Sequence, residues 1–364
     1  MPYARSLIVY GFLAMTLSVA LSGYATAQAV WIIDIWKDRA GPFIQGQHFF
    51  FALGGIIPPT LFAPFLEGAP AAAKVDSEPI RDNGTARMSD AAVALSPLEA
   101  TSSRILIPAF ICAGIVAFGG ILLLSTLVAF SQKGGGKAKA KITTDLEPSR
   151  KTQEKSVIST ENEVPGDTKE EIQSRKYKKI ALIALSATLL GAAQAIEATA
   201  LQFLPAYTHF SDYKFSQAAG ARVLSAFCAA YTFGRLLGIV AILKVAPKLI
   251  LVLNIIIVAA ANILLLISSS SGTAESVWIG SVLLGLGLST NIPTIYAFLR
   301  EHLHITNMVG GIMLFGGSAA STFYPLIIGA YMETFANVVI CLNLTTAAVG
   351  VVTFVAITAL IRYT

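Results

Sequence analysis

Apolar residues collect into about nine long runs, at about 7–33, 45–66, 105–130, 178–205, 219–243, 248–268, 277–299, 307–331 and 335–361. Each reaches the roughly 20 residues that a helix needs to cross about 30 Å of hydrocarbon. Inside lipid every backbone N–H and C=O must be satisfied within the chain. Only helices and closed barrels can do this, and a barrel would show short alternating segments instead. The fold class expected is therefore all-α: a polytopic membrane protein with about nine transmembrane helices. A mean hydropathy of +0.68 with 13% charged residues agrees, because ordinary soluble domains carry about a quarter charged residues.

An odd number of spans puts the two termini on opposite sides, and Lys and Arg in the loops decide which. One set of alternate loops holds Lys37, Arg39, the basic residues between Lys133 and Lys179, Lys244, Lys248, Arg300 and Arg362. The other holds Lys74, Arg81, Arg87, Arg104 and Lys214 across longer polar stretches. The first set reads as cytoplasmic, with the N-terminus outside and the C-terminus inside. The formal charge of +5 follows from this bias. No nucleic-acid partner is expected, since the basic residues flank apolar helices without interleaved aromatics.

Asn83-Gly84-Thr85 is an N-glycosylation sequon on the side assigned to the outside, and it points to the secretory route and the plasma membrane. Met1 to Ala27 also has the outline of a signal peptide. Its apolar run nevertheless continues through Trp31 and Ile32 to Trp36, which favours a spanning helix. Cys112, Cys228 and Cys341 lie within apolar helices and are expected as buried structural thiols.

Two polar stretches interrupt the pattern. Residues 67–104 form an outside loop, and residues 131–177 form a cytoplasmic linker of mixed charge and low apolar content, expected as disordered or loosely helical. The linker divides the chain into a partial bundle of three helices at 1–130 and a six-helix bundle at 178–364. Gly134-Gly135-Gly136 lies in this linker, not between a strand and a helix, so no phosphate-cradling loop is present. No nucleophile and base stand together either, and no enzymatic activity is expected.

Short motifs carry a resemblance. Trp36-Lys37-Asp38-Arg39-Ala40-Gly41-Pro42-Phe43, continuing through His48 to Gly54-Gly55, resembles the junction of the fourth and fifth helices in the sodium-dependent glucose transporter branch of the major facilitator superfamily. That branch is similar to the fucose permeases. Tyr231-Thr232-Phe233-Gly234-Arg235-Leu236-Leu237 resembles its eighth helix, and the stretch from Trp278 to Pro293-Thr294 its tenth. The resemblance implies a truncated major facilitator fold of three plus six helices, lacking the first three, with a central cavity and alternating access. It also implies transport of a small polar solute, a sugar in this branch, with Na+ or H+ as coupling ion and the bilayer as surroundings. Oligomeric state is left open. Where the branch tends to carry an acidic residue, Thr and then Asn in the fourth helix, this chain has Ala25, Thr26 and Ala29. The lost carboxylate and the missing helices leave an alternative: a transport-inactive relative acting as a membrane interaction or regulatory protein.

Candidate substrate-binding residues are Gln194, Glu197, Asn291, Thr294 and Thr26. Glu197 is a carboxylate within an apolar span, which must face a cavity, find a partner or hold a proton, and Gln194 at i−3 shares its face. Asn291 and Thr294 flank Pro293, which should bend its helix. Arg235 and Lys244 are assigned to gating at the inner end. Counting 1.5 Å per residue from the span ends puts Glu197 and Arg235 about 14 Å apart along the membrane normal, so no direct ion pair is expected. Gly280, Gly285 and Gly287, with Gly310, Gly311, Gly316, Gly317, Ala319 and Ala320, should permit close helix contact. Gly54, Gly55, Pro58 and Pro59 suggest a broken or bent helix. His48 beside Gln45 and Gln47, and His302 with His304, offer no third ligand, and no metal or other cofactor is expected.

Overall fold

The computed structural model describes residues 40–66, 105–126, 169–271, 273–303 and 307–362, with isolated positions before residue 40. The helices are α1 (Ala40–Leu66), α2 (Ile105–Thr126), α3 (Lys169–Phe210), α4 (Gln217–Ala241), α5 (Pro247–Ser271), α6 (Ala274–Ser289), α7 (Asn291–Arg300), α8 (Asn307–Tyr331) and α9 (Val338–Arg362). No strand occurs among the described residues. Among the described residues seven segments are long and apolar enough to cross a membrane, α6 and α7 counting as one. The expected span at 7–33, Thr26, Ala25, the sequon at Asn83, the loop 67–104 and His304 lie outside the described residues.

Two compact units are present, Met1–Pro108 with Ile180–Thr364 in one and Ala109–Lys179 in the other. The first holds two buried apolar clusters. One gathers Tyr207, Phe227, Leu265, Leu284 and Ile340; the second gathers Leu190, Leu299, Met313 and Ile357. Outward faces are apolar as well, with Ile256, Leu326 and Val352 at 58%, 70% and 68% exposure. A water-facing helix would place charged and polar residues there, so these surfaces suit lipid.

Helix α3 begins at Lys169, ahead of the expected span at 178 and inside the stretch read as linker. Its opening, Lys169-Glu170-Glu171-Ile172-Gln173-Ser174-Arg175, is made of good helix formers with Glu171 at i−4 from Arg175, a supportive order. Hydropathy alone does not register such a polar turn. The far end also runs on, to Phe210. The turn to α4 is fixed by Phe215 N–H donating to the Thr208 carbonyl at 3.0 Å and by Lys214 in the left-handed region at φ 46°. Ser216 caps α4 by accepting from the Ala219 N–H at 3.2 Å.

Two expectations about bending separate. Helix α1 runs unbroken through Pro58, Pro59 and Pro64, contrary to a break at the Gly-Gly and Pro-Pro pairs. Gly54 and Gly55 stand at i−4 from Pro58 and Pro59, so the carbonyls their rings would strike belong to the residues freest to tilt. At Pro293 the helix does break. Thr290, at φ −108° and ψ 0°, separates α6 from α7. Proline there removes the N–H that would bond the Ser289 carbonyl. Asn254 of α5 donates to the Thr290 hydroxyl at 2.8 Å and pins the break.

The glycines of α6 act on two faces. A Cβ at Gly285 would lie 2.5 Å from the Phe227 carbonyl oxygen, so α6 meets the α4 backbone there. Gly280 and Gly287 make the same allowance for Leu265 and for Ile257 and Val258 of α5. Gly311 has no such neighbour. Residues 314–322 lie outside the described side chains. The thiols differ from expectation: Cys228 is buried, Cys112 is intermediate and Cys341 is exposed. On a lipid-facing helix a thiol avoids water without being covered by protein.

Candidate functional site: a charged relay across α1, α3 and α4

Glu197 on α3 and Arg235 on α4 form a direct ion pair, Nη2 to Oε1 3.8 Å, with side chains 14% and 6% exposed. This overturns the expectation that depth keeps them apart. The cause is where the helices end. Depth is measured from the turn that connects them, back along α3 from Phe210 to Glu197 and forward along α4 from Gln217 to Arg235. At about 1.5 Å per residue these distances are about 20 Å and about 27 Å. The remaining offset, about 7 Å, is within reach of a long arginine side chain leaning toward Glu197.

Tyr231 completes the arrangement. It lies one helical turn before Arg235 on the same face of α4, about 21 Å from the turn and so level with Glu197. Its hydroxyl donates to Glu197 Oε1 at 2.5 Å and accepts from Arg235 Nη2. The guanidinium carbon also sits 4.5 Å from the centre of the Tyr231 ring. Arg235 Nη1 donates to the His48 backbone carbonyl on α1 at 2.8 Å. One guanidinium thus links three helices. A second tie joins α1 to α4, from Thr60 Oγ1 to Ser225 Oγ at 3.2 Å. It lies roughly three turns onward from His48 along α1 and roughly three turns back from Arg235 along α4, as antiparallel neighbours require. These helices carry the motifs resembling the fifth and eighth helices of the family.

Burying two charges is costly unless they are paired and hydrogen-bonded, and this relay meets most of that demand. Not all of it is met. Arg235 Nε and Gln194 Oε1 are buried without a partner.

The other candidates sit elsewhere. Asn291, 9% exposed with its Oδ1 unpartnered, lines a cavity of about 40 Å³ with Leu189, Ala192, Ile196, Leu251 and Thr346. That volume is far below the several hundred Å³ of a small-molecule pocket. Gln194 and Glu197 are absent from this lining. They occupy a face of α3 nearly half a turn away from Ala192 and Ile196. Thr294 is 1% exposed, one turn into α7. Lys244 is exposed in the turn after α4 and stands apart from the relay. His48 contributes its backbone, not its ring. Among the described residues no group of three or more His, Cys, Asp or Glu could hold a metal. Tyr231, the residue that joins the two charges, was not among the candidates. A Tyr and an Arg spaced i, i+4 in an apolar span are the signal that points to it.

Residues 91–325 match the sequence model of the Major Facilitator Superfamily. The chain is 29% identical over 113 residues to sodium-dependent glucose transporter 1 of Rattus norvegicus, covering 31% of this chain and 23% of that protein. It is 27% identical over 110 residues to major facilitator superfamily domain-containing protein 4A of Xenopus tropicalis, covering 30% and 22%. A third relative, sodium-dependent glucose transporter 1 of Xenopus laevis, is 30% identical over 69 residues, covering 19% and 14%. The matched stretches span less than a quarter of each relative's length.

Proposed function

The chain belongs to the major facilitator superfamily, and from that premise we propose that it carries a small polar solute, a sugar, across the membrane by alternating access. The observation that carries this reading is the Glu197–Tyr231–Arg235 relay with its anchor on the His48 carbonyl. Intramembrane charges are retained where they serve a pathway, and a relay that ties helices through a few polar contacts can be remade when those helices part. Two relatives are named for sodium-dependent glucose transport, which supports a hexose as solute and, of the two expected coupling ions, Na+ over H+. Residence in the plasma membrane, with Asn83 glycosylated outside and the C-terminus in the cytoplasm, belongs to the same reading.

Uptake of labelled hexose into vesicles containing the purified chain tests it. Entry faster than into empty vesicles supports carriage. Entry no faster refutes it for hexoses and favours the regulatory alternative. Glu197→Gln should alter the sodium or pH dependence of uptake if that carboxyl takes part in coupling.

A further inference from the structure

Arg235 is the most deeply buried charge of the relay at 6% exposure, yet its guanidinium is not fully used. Nη1 is held by His48 and Nη2 by Tyr231, while Nε–H is buried and lacks a partner. On α3, Gln194 Oε1 is also buried and open, one turn from Glu197 on the same face. Glu197 keeps 14% exposure, so the carboxylate end is the less covered end of the relay. The two neighbouring helices therefore carry one unfilled donor, Arg235 Nε–H, and one unfilled acceptor, Gln194 Oε1. A hydroxyl group, which donates and accepts at once, complements such a set.

Charge narrows the choice. Glu197 and Arg235 sum to zero. A solute carboxylate brought here would gain little net attraction, because Glu197 repels it about as strongly as Arg235 draws it, and it would still lose its hydration; a neutral hydroxyl avoids most of that loss. We propose that Glu197 and Arg235 together form a specificity filter that admits neutral polyhydroxyl solutes and rejects anionic ones, with Arg235 Nε–H and Gln194 Oε1 as hydroxyl-binding groups. This moves Arg235 from a purely gating role to one in direct contact with solute. It rests on the transport reading for its setting, but it makes its own claim about binding.

Calorimetric titration of the full-length chain in detergent micelles with D-glucose and with D-glucuronate tests it. The wild type should bind glucose at least tenfold more tightly than glucuronate. Glu197→Gln leaves a net positive site, so glucose should weaken and glucuronate tighten, each by about tenfold. The double variant Glu197→Gln/Arg235→Gln returns the site to zero charge and should lose the gain in glucuronate binding, while glucose stays weaker than in the wild type because the Arg235 Nε–H is gone. If Glu197→Gln does not fold, Gln194→Lys adds a positive charge beside an intact relay and should likewise admit glucuronate. Equal binding of the two solutes by the wild type overturns the proposal. So does a ratio that the charge-changing variants leave unmoved, or absence of binding by every variant. Failure of transport itself looks different: the wild type would bind with the stated preference, yet its vesicles would fill no faster than empty ones.

Discussion

Replacing Arg235 with Met removes a guanidinium that makes three contacts, to His48 O, Tyr231 Oη and Glu197 Oε1. At 3.8 Å and an effective dielectric of about 20, the Coulomb attraction alone is about 4 kcal/mol. Desolvation of both ions offsets much of it, so the pair as a whole adds little over a well-packed apolar pair. The single variant is another matter, because it strands the Glu197 carboxylate with Tyr231 as its remaining donor. Breaking one side of a buried pair costs about 3–5 kcal/mol. With Glu197 at 14% exposure, the lower end of that range is expected. Arg235→Met and Glu197→Met should each destabilise by about 3 kcal/mol, while the double variant should lose clearly less than the sum, leaving a coupling of about 2 kcal/mol. Reversible denaturant unfolding in mixed micelles, followed by tryptophan fluorescence across the four-member cycle, measures it. Losses that add within about 0.5 kcal/mol would refute the claim that the two residues act as a pair.

Gly285→Ala puts a methyl group 2.5 Å from the Phe227 backbone carbonyl, and neither helix can move aside without disturbing Tyr231. It should cost about 1–3 kcal/mol in the same unfolding assay. Gly350→Ala meets the Ala192 Cβ at an ordinary 3.6 Å and should change stability by less than about 0.5 kcal/mol. Asn254→Leu deletes the 2.8 Å bond to the Thr290 hydroxyl. It should lower stability by about 1 kcal/mol and speed hydrogen exchange of amides flanking the α6–α7 break.

Much of the scaffold was legible from the apolar runs, because lipid imposes length and helicity together. The spans expected at 219–243 and 248–268 fall within a few residues of α4 and α5. What hydropathy could not supply was the polar ends. The Lys169–Lys179 turns of α3 and its extension from 205 to Phe210 are helical for local reasons, and that extension accounts for much of the error in the relative depth of Glu197 and Arg235. The candidate site was half legible. Glu197 stood out as an isolated carboxylate and Arg235 as an isolated cation, but their partnership depends on helix ends and Tyr231 reads from sequence as one more apolar-span aromatic. Asn291 had the right residue type beside a real helix break, yet it faces a small apolar cavity instead of the relay. Proline position told where the chain breaks, not what the neighbouring side chains face.

Counterflow tests the central claim most directly. Vesicles containing the purified chain are loaded with unlabelled glucose, diluted into trace labelled glucose, and sampled over seconds to minutes. A carrier working by alternating access predicts a transient accumulation of label above equilibrium, abolished by Glu197→Gln/Arg235→Gln if the relay is part of the cycle. Label that rises only to equilibrium, at the rate seen in empty vesicles, would contradict the account.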